Sequence, residues 1–314
     1  MNLLFRFLVA AAIVFVPVFV SACDICGCAG GGNSLGLLPL VQRHFVGFRW
    51  QSQVFRTIAH GSEPNSSETF RTLDFWGRWH PNRRVQLIAN LPYQYTERHF
   101  DDGTSLHANG MGDAALLIQI ALLDPKKQSF RDWGHTLQIG GGIKFPTGKN
   151  KLTDTESNVL TPALQPGTGS TDYLISGLYA LRRGDWGASL DATARLMGKS
   201  NLGNQAGNRA NIGMRGFWTK NVGKTAFLPF AGILLDARDA DRENGKWQSD
   251  TGGWAAFGMV GAEVFRGDLS FGLGWQIPIA SNFSNGKVSP KTRFNASVAL
   301  LFGGKDKAFS VKTS

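Results

Sequence analysis

The stretch from Leu269 to Ala280, LSFGLGWQIPIA, alternates large apolar residues with small or polar residues. A period of two places alternate side chains on opposite faces of a β-strand. The stretch therefore predicts a strand with one apolar face and one small or polar face. The apolar face consists of Leu269, Phe271, Leu273, Trp275, Ile277 and Ile279.

The same alternation recurs along the chain after residue 41, which predicts an all-β fold. Of 314 residues, 39 are glycine and 35 are aromatic (22 Phe, 9 Trp and 4 Tyr), and the mean hydropathy is −0.13. This composition argues against a disordered chain, a collagen or a bundle of membrane-spanning helices. The predicted strands cover residues 43–57, 69–80, 84–96, 111–123, 134–146, 171–182, 186–197, 209–219, 225–237, 253–265, 268–280 and 291–302.

Two architectures can cover the apolar faces, a soluble sandwich and a transmembrane barrel. Charges recur on the polar faces, and the connections alternate between long polar loops and short turns, as in outer-membrane proteins. We therefore predict an antiparallel transmembrane β-barrel of about 12 strands, with the polar faces lining a lumen. The predicted lumen or substrate-pathway residues are Arg49, Asp74, Arg78, Lys144, Asp191, Arg195, Arg215 and Glu263.

The sequence divides into four segments. Residues 1–22 resemble a cleaved secretory signal peptide, with Arg6 before an apolar run and small residues before the cleavage point. Residues 23–41 form a Cys/Gly-rich segment, 42–302 the barrel and 303–314 a tail. The even strand number predicts that both termini are periplasmic and that the barrel lies in a bacterial outer membrane.

All three cysteines lie in the Cys/Gly-rich segment, as Cys23, Cys26 and Cys28. Thiolates at this spacing suit copper or zinc, although a fourth zinc ligand is missing locally. Two alternatives remain open. Cys23 follows a lipoprotein-like Val-Ser-Ala sequence and could be lipidated, or Cys23 and Cys26 could form a disulfide in the oxidising periplasm.

Three motifs in the middle of the chain mark strand ends. They are Gly110-Met-Gly-Asp113, Lys144-Phe-Pro-Thr-Gly148, and Leu164-Gln-Pro-Gly-Thr-Gly-Ser170 followed by Asp172. Together they resemble the outer-membrane "meta-pathway of phenol degradation" family of transporters, over roughly residues 68–302. The resemblance implies a barrel through which small, often hydrophobic, compounds cross the outer membrane. The glycines and prolines of these motifs also have a purely architectural reading as turns.

The predicted function is an outer-membrane channel that passes small, hydrophobic or aromatic solutes. The alternative is a copper- or zinc-handling outer-membrane protein that uses the cysteine cluster, and we expect a periplasmic partner at this N-terminal segment. No nucleophile, phosphate-binding or dinucleotide motif suggests an enzyme, and the dispersed positive charge argues against nucleic-acid binding. The long loop from Thr147 to Ser170 is unusually apolar, and we expect it to fold inward and narrow the pore.

Overall fold

The computed structural model describes residues 43–59, 64–123 and 133–303. The predicted signal peptide, the Cys/Gly-rich segment and the C-terminal tail lie outside the described residues. The strands are β1 (His44–Thr57), β2 (Ser66–Trp79), β3 (Val85–Phe100), β4 (Ser105–Met111), β5 (Ala115–Leu123), β6 (Gly134–Lys144), β7 (Asp172–Arg183), β8 (Trp186–Leu196), β9 (Arg209–Trp218), β10 (Lys220–Val222), β11 (Thr225–Arg238), β12 (Arg242–Glu243), β13 (Lys246–Trp247), β14 (Gly253–Arg266), β15 (Leu269–Phe283) and β16 (Val288–Phe302).

The sheet closes into a barrel because β1 pairs with β2 along one edge and with β16 along the other. All neighbouring strands are antiparallel, and β4 and β5 share one position in the wall, as do β9 and β10. The small β12–β13 hairpin stands apart from the wall. The described residues thus form twelve wall positions, which confirms the predicted fold class.

The outer face of the barrel is apolar. Along β15, Leu273 and Ile279 are 57% and 65% exposed, whereas the intervening Ser270 and Gln276 are buried. A belt of exposed Leu, Ile, Phe and Trp side chains continues around the other strands. Such a band matches the lipid-facing surface of an outer-membrane barrel and exceeds what a soluble monomer exposes.

A search for membrane-spanning helices over the described part of the chain found no helix of sufficient length and apolarity.

The two ends of the barrel differ in their connections. The connection 145–171 and the segments 197–208 and 239–252 lie at one end, the loop end, and short connections such as 184–185 and 267–268 lie at the other, the turn end. Two connections predicted to be long are short, because β3 and β4 continue to a four-residue turn at 101–104 and β15 and β16 continue to 284–287. Polar residues such as Glu97, His107 and Asn282 replace the large apolar residues of the outer face in these extensions, so the period-two pattern ends while backbone pairing continues.

The inner face is not uniformly polar, which corrects the expectation of a lumen lined by polar side chains. Near the turn end, six strands contribute a contacting cluster of buried side chains: Phe45, Trp76, Phe217, Ala226, Leu228, Phe265, Ala299 and Leu301. A second apolar cluster, which includes Phe55, Phe70, Phe257 and Phe283, lies near the loop end. A narrow barrel brings facing walls close enough for side chains to fill part of its interior.

Candidate functional site

The three sequence motifs meet at one place inside the wall. Pro92 of β3 cannot donate a ladder hydrogen bond, and the wall is interrupted opposite it, between Met111 and Ala115. The sequence predicted an unbroken strand here. The interruption places Asp113 in a buried position, beside the end of β6 and the start of β7.

A buried cluster of paired charges, the motif cluster, consists of Asp113, Lys144, Thr168, Asp172 and Arg195. The Lys144 ammonium lies 2.6 Å from Asp113 Oδ2 and 3.1 Å from Asp172 Oδ2, and it also donates to Thr168 Oγ1. Arg195 Nε donates to Asp172 Oδ2 at 2.9 Å. Two cations and two carboxylates therefore neutralise one another, as buried charges require.

The motif cluster ties the long connection 145–171 to the wall. Asp113 accepts hydrogen bonds from the Gly148 amide at 2.9 Å, from the Thr168 amide at 2.9 Å and from Thr168 Oγ1 at 2.7 Å. Ser170 Oγ donates to Asp172 Oδ1 at 2.7 Å. Both ends of the connection are thus held by carboxylates of neighbouring strands.

The motif glycines allow their backbones to touch. A Cβ atom on Gly148 would lie 2.7 Å from the carbonyl carbon of Gly112 and from the Cα of Gly167. A Cβ on Gly167 would lie 2.5 Å from the carbonyl carbon of Gly148. The glycines of the three motifs are therefore needed because the backbones approach closely, as well as because the chain turns there.

The middle of the connection packs onto the inner face at the loop end. Leu160 and Leu164 are buried against Ala108 of β4, and Leu152 packs at the edge of this group. Gln165 closes the turn by bonding to the backbone of Leu152 and Leu160. The inward fold of this loop agrees with the sequence expectation; whether it gates a pore stays a prediction.

The exposed tip of this loop is organised by Asp154. Its carboxylate accepts from the backbone amides of Glu156 and Asn158, each at 2.9 Å. Hydrogen bonding by the Asn158 amide holds the pKa of the Asp154 carboxyl below its usual value. The tip is therefore a defined turn rather than a free end.

A small cavity of about 20 Å³, with room for about one water molecule, lies next to the motif cluster on its turn-end side. Its lining side chains come from five strands and combine one charge with mostly apolar contacts. They are Arg49, Trp76, Ile88, Asn90, Ala115, Leu117 and Leu174. The glutamine network of Gln86, Gln119 and Gln138 lies one further register step toward the turn end.

All eight predicted lumen residues lie on the inner face. Six are buried (Arg49, Asp74, Arg78, Lys144, Arg215 and Glu263), and Asp191 and Arg195 are partly buried. Arg49 Nη2 lies 2.8 Å from Asp74 Oδ2, and Arg215 Nη2 lies 2.5 Å from Asp191 Oδ1. Arg78 Nη2 donates to the Arg43 carbonyl at 3.0 Å. Their role in a substrate pathway is not decided by this placement.

Several interior groups were not singled out from the sequence. Asp113, Thr168 and Asp172 stood inside the quoted motifs but were read as turn residues, and Trp76 was hidden among many aromatic residues. The Arg293–Asp236 pair, with a separation of 3.0 Å, gave no local signal because its residues lie 57 positions apart. Opposite charges at paired register positions of neighbouring strands are the signal that could have found Lys144 and Asp172. Asp236 and Arg293 lie on β11 and β16, which are not neighbours in the wall, so no such signal exists for them.

The predicted metal ligands Cys23, Cys26 and Cys28 lie outside the described residues. Over the ranges that are described, no group of three or more His, Cys, Asp or Glu side chains is placed to hold a metal ion. Copper or zinc binding therefore stays a prediction of the sequence.

Comparison with solved structures places the fold among outer-membrane barrels. An outer-membrane channel from Pseudomonas putida F1 superposes with a TM-score of 0.59 at 14% identity, covering 83% of this chain and 96% of that one. The β domain of the Bordetella autotransporter BrkA gives 0.50 at 12% identity, covering 82% and 99%. No family model and no curated protein matches the chain, so the family suggested by the motifs stays a prediction.

Proposed function

We propose that this chain is an outer-membrane channel for small organic solutes, and that the connection 145–171 is its gate. The observation that carries the proposal is a closed barrel with an apolar outer belt, in which the connection 145–171 folds onto the inner face. The fold shared with an outer-membrane channel supports it. The family resemblance of the three motifs points to the same class of function.

In this proposal the described structure corresponds to the closed state. Near the turn end, buried side chains of Phe45, Leu228 and Leu301 belong to one packed cluster, and the loop covers the inner wall at the other end. A solute larger than water therefore needs movement of the loop, and repacking at the turn end, to cross. Loop motions on the nanosecond to millisecond scale are common in gated proteins.

The interior charges favour uncharged solutes over ions. Arg49 with Asp74, Arg215 with Asp191 and the motif cluster are each internally neutralised. An ionic solute that enters beside a neutral buried pair loses its hydration and gains no counter-charge, which is unfavourable. We therefore propose that small hydrophobic or aromatic molecules are the transported class.

Deletion of residues 151–163 tests the gate. We expect liposomes with the shortened protein to swell faster in uncharged aromatic solutes than liposomes with the full chain. A matched control removes the β12–β13 hairpin, residues 242–247, from a different loop at the same end. Equal swelling rates for all three proteins would refute gating, and impermeable liposomes throughout would refute the channel.

The remaining assignments form part of the same proposal. We place the barrel in a bacterial outer membrane with the turn end and both termini in the periplasm. Its partners are outer-membrane lipid and a small-molecule solute, with a periplasmic partner expected at the N-terminal segment. Catalysis is not part of the proposed activity.

A further inference from the structure

We propose that the outer face of the barrel carries, at the turn end, a binding site for the headgroup of an anionic phospholipid. The site, which we call the basic tryptophan row, consists of Trp133, Arg183, Trp186, Trp218 and Lys220. This inference rests on the proposed placement of the turn end at the periplasmic leaflet of the outer membrane, because lipid must reach this face. It does not require that the barrel conducts solutes.

The basic tryptophan row runs across neighbouring strands at one height of the wall. Arg183 of β7 pairs with Trp186 of β8, and Trp186 pairs with Trp218 of β9. Directly opposed residues of neighbouring strands lie on the same face of a sheet. Trp186 is 69% exposed, so the shared face is the outer one. Trp133, one residue before β6, lies beside Arg183 at the same end of the wall.

Both cations of the row lie against tryptophan rings. The guanidinium carbon of Arg183 is 5.7 Å from the centre of the Trp133 ring, and Lys220 Nζ is 5.8 Å from that of Trp218. The rings of Trp186 and Trp218 are stacked with their centres 6.0 Å apart. Such contacts stabilise a cation beside a ring. The row therefore holds two positive charges in fixed positions on the outer face.

The row lies at the depth of lipid headgroups. Farther into the wall on the same two strands, Leu190 and Met214 are exposed and belong to the apolar belt. Tryptophan side chains concentrate at the boundary between the hydrocarbon core and water, and Lys and Arg extend their charged ends toward that boundary. Lipid that covers Leu190 and Met214 thus brings its phosphate group to the level of the row.

Positive charge is in excess in this sector of the turn end. The described charged residues of the connections 184–185 and 219–224 and the adjoining strand ends are Arg182, Arg183, Asp185, Lys220 and Lys224. The outer face of the loop end differs, because its cations face carboxylates. There, Arg56 Nη2 lies 2.6 Å from Asp101 Oδ2. Likewise, Arg71 Nη1 lies 3.7 Å from Glu97 Oε2. An anionic headgroup therefore meets the more favourable charge at the turn end.

A phospholipid with a net negative headgroup fits all of these features together. Its phosphate accepts from Arg183 and Lys220, its glycerol region lies at the level of the indole rings, and its acyl chains cover the apolar belt. A zwitterionic headgroup carries its own ammonium group, which competes with both cations for the phosphate. An acidic protein in the periplasm would meet the cations but would not reach the rings that face lipid. The row therefore favours an anionic lipid over both.

Native mass spectrometry of the purified full chain tests this site. The protein is released from detergent micelles that contain equal amounts of phosphatidylglycerol and phosphatidylethanolamine with identical acyl chains. One Lys or Arg near an anionic headgroup contributes about a fivefold preference. We therefore expect the chain to retain at least about five times more phosphatidylglycerol than phosphatidylethanolamine.

Three double variants locate the preference. Arg183→Gln/Lys220→Gln should bring the ratio of the two retained lipids close to one. Arg183→Lys/Lys220→Arg keeps both charges and should keep most of the preference. The matched control, Lys151→Gln/Lys246→Gln, removes the same charge from exposed positions at the loop end and should leave the ratio unchanged. Retention of heat-modifiable electrophoretic mobility verifies that each variant is folded.

Other results overturn the inference. A wild-type ratio close to one would leave the row to an acidic protein partner. An equal fall of the ratio in both glutamine variants would mean that the net charge of the chain, and not the row, selects the lipid. Loss of the preference in excess inorganic phosphate would mean that the row binds soluble anions. The liposome-swelling assay, run in phosphatidylcholine, decides the channel proposal independently, because conduction needs no anionic lipid.

Discussion

Substitution of Asp113 by asparagine should release the loop from the barrel wall. The carboxylate accepts four hydrogen bonds: Oδ2 receives Lys144 Nζ and both donors of Thr168, and Oδ1 receives the Gly148 amide. An amide has only one acceptor oxygen. The substituted amide side chain can take two orientations. In the more favourable one, its oxygen faces Lys144 and Thr168, and its NH₂ group faces the Gly148 amide.

The magnitude follows from these contacts. Loss of the Gly148 bond leaves a partly buried N–H unpaired, which costs about 1–2 kcal/mol. Loss of the negative charge weakens the charge-assisted bond from Lys144, by roughly 1–2 kcal/mol. We therefore expect loop docking to weaken by about 3 kcal/mol, which corresponds to roughly a hundredfold rise in the undocked population.

Trypsin cleavage after the exposed Lys151 reports the undocked loop, because cleavage tracks the open population when closing is fast. The rate of trypsin cleavage after Lys151 should be up to about a hundredfold higher in Asp113→Asn than in the wild type. Glu156→Gln, at an exposed side chain in the same loop, is the matched control and should change the cleavage rate little. Equal rates for wild type and Asp113→Asn would refute the inference that the motif cluster holds the loop.

Three further predictions follow from the fold and the sequence. Gly148→Ala should impair assembly, measured as the heat-modifiable fraction, because its Cβ would overlap two backbones, whereas Gly177→Ala has room and should assemble normally. Leu273→Arg should lower the free energy of unfolding in lipid by about 2–4 kcal/mol, as for arginine at the midplane of a lipid-facing strand; unchanged denaturant midpoints would contradict that placement. Wild-type protein should retain copper or zinc under reducing conditions and the Cys26→Ser/Cys28→Ser variant should not; absence of metal from both, by elemental analysis, would refute the metal hypothesis.

The barrel could be predicted from residues such as Leu269 to Ile279 because lipid on one side and a partly polar interior on the other impose a period of two. The pattern is local, since each strand meets the same two environments. It failed where those environments change: the extensions of β3 and β4 leave the apolar belt, and Phe45 or Leu301 turn inward near the turn end. The sequence does not distinguish an apolar residue that faces lipid from one that faces a packed interior.

The candidate site could be predicted only in part. The eight charged residues of the polar faces lie on the inner face, since charge is excluded from lipid, and their role in a substrate pathway stays a prediction. Their partners were not predictable, because Asp113, Lys144 and Asp172 come from different strands and meet only through the register of β5, β6 and β7. A shift of one residue in that register would exchange the inner and outer faces of a strand, so its charged side chain would no longer meet its partners in the motif cluster.

The sequence by itself thus determined the number of wall strands, the lipid-facing surface and the presence of charged residues inside, because these depend on short-range alternation. Only the tertiary structure decided that the motif glycines stack, that Asp113 and Lys144 fasten the loop, and that Arg49 and Trp76 share a cavity. These features depend on strand pairing and on docking of the long connection, which bring residues more than 25 positions apart within hydrogen-bond distance. No local pattern encodes such distances.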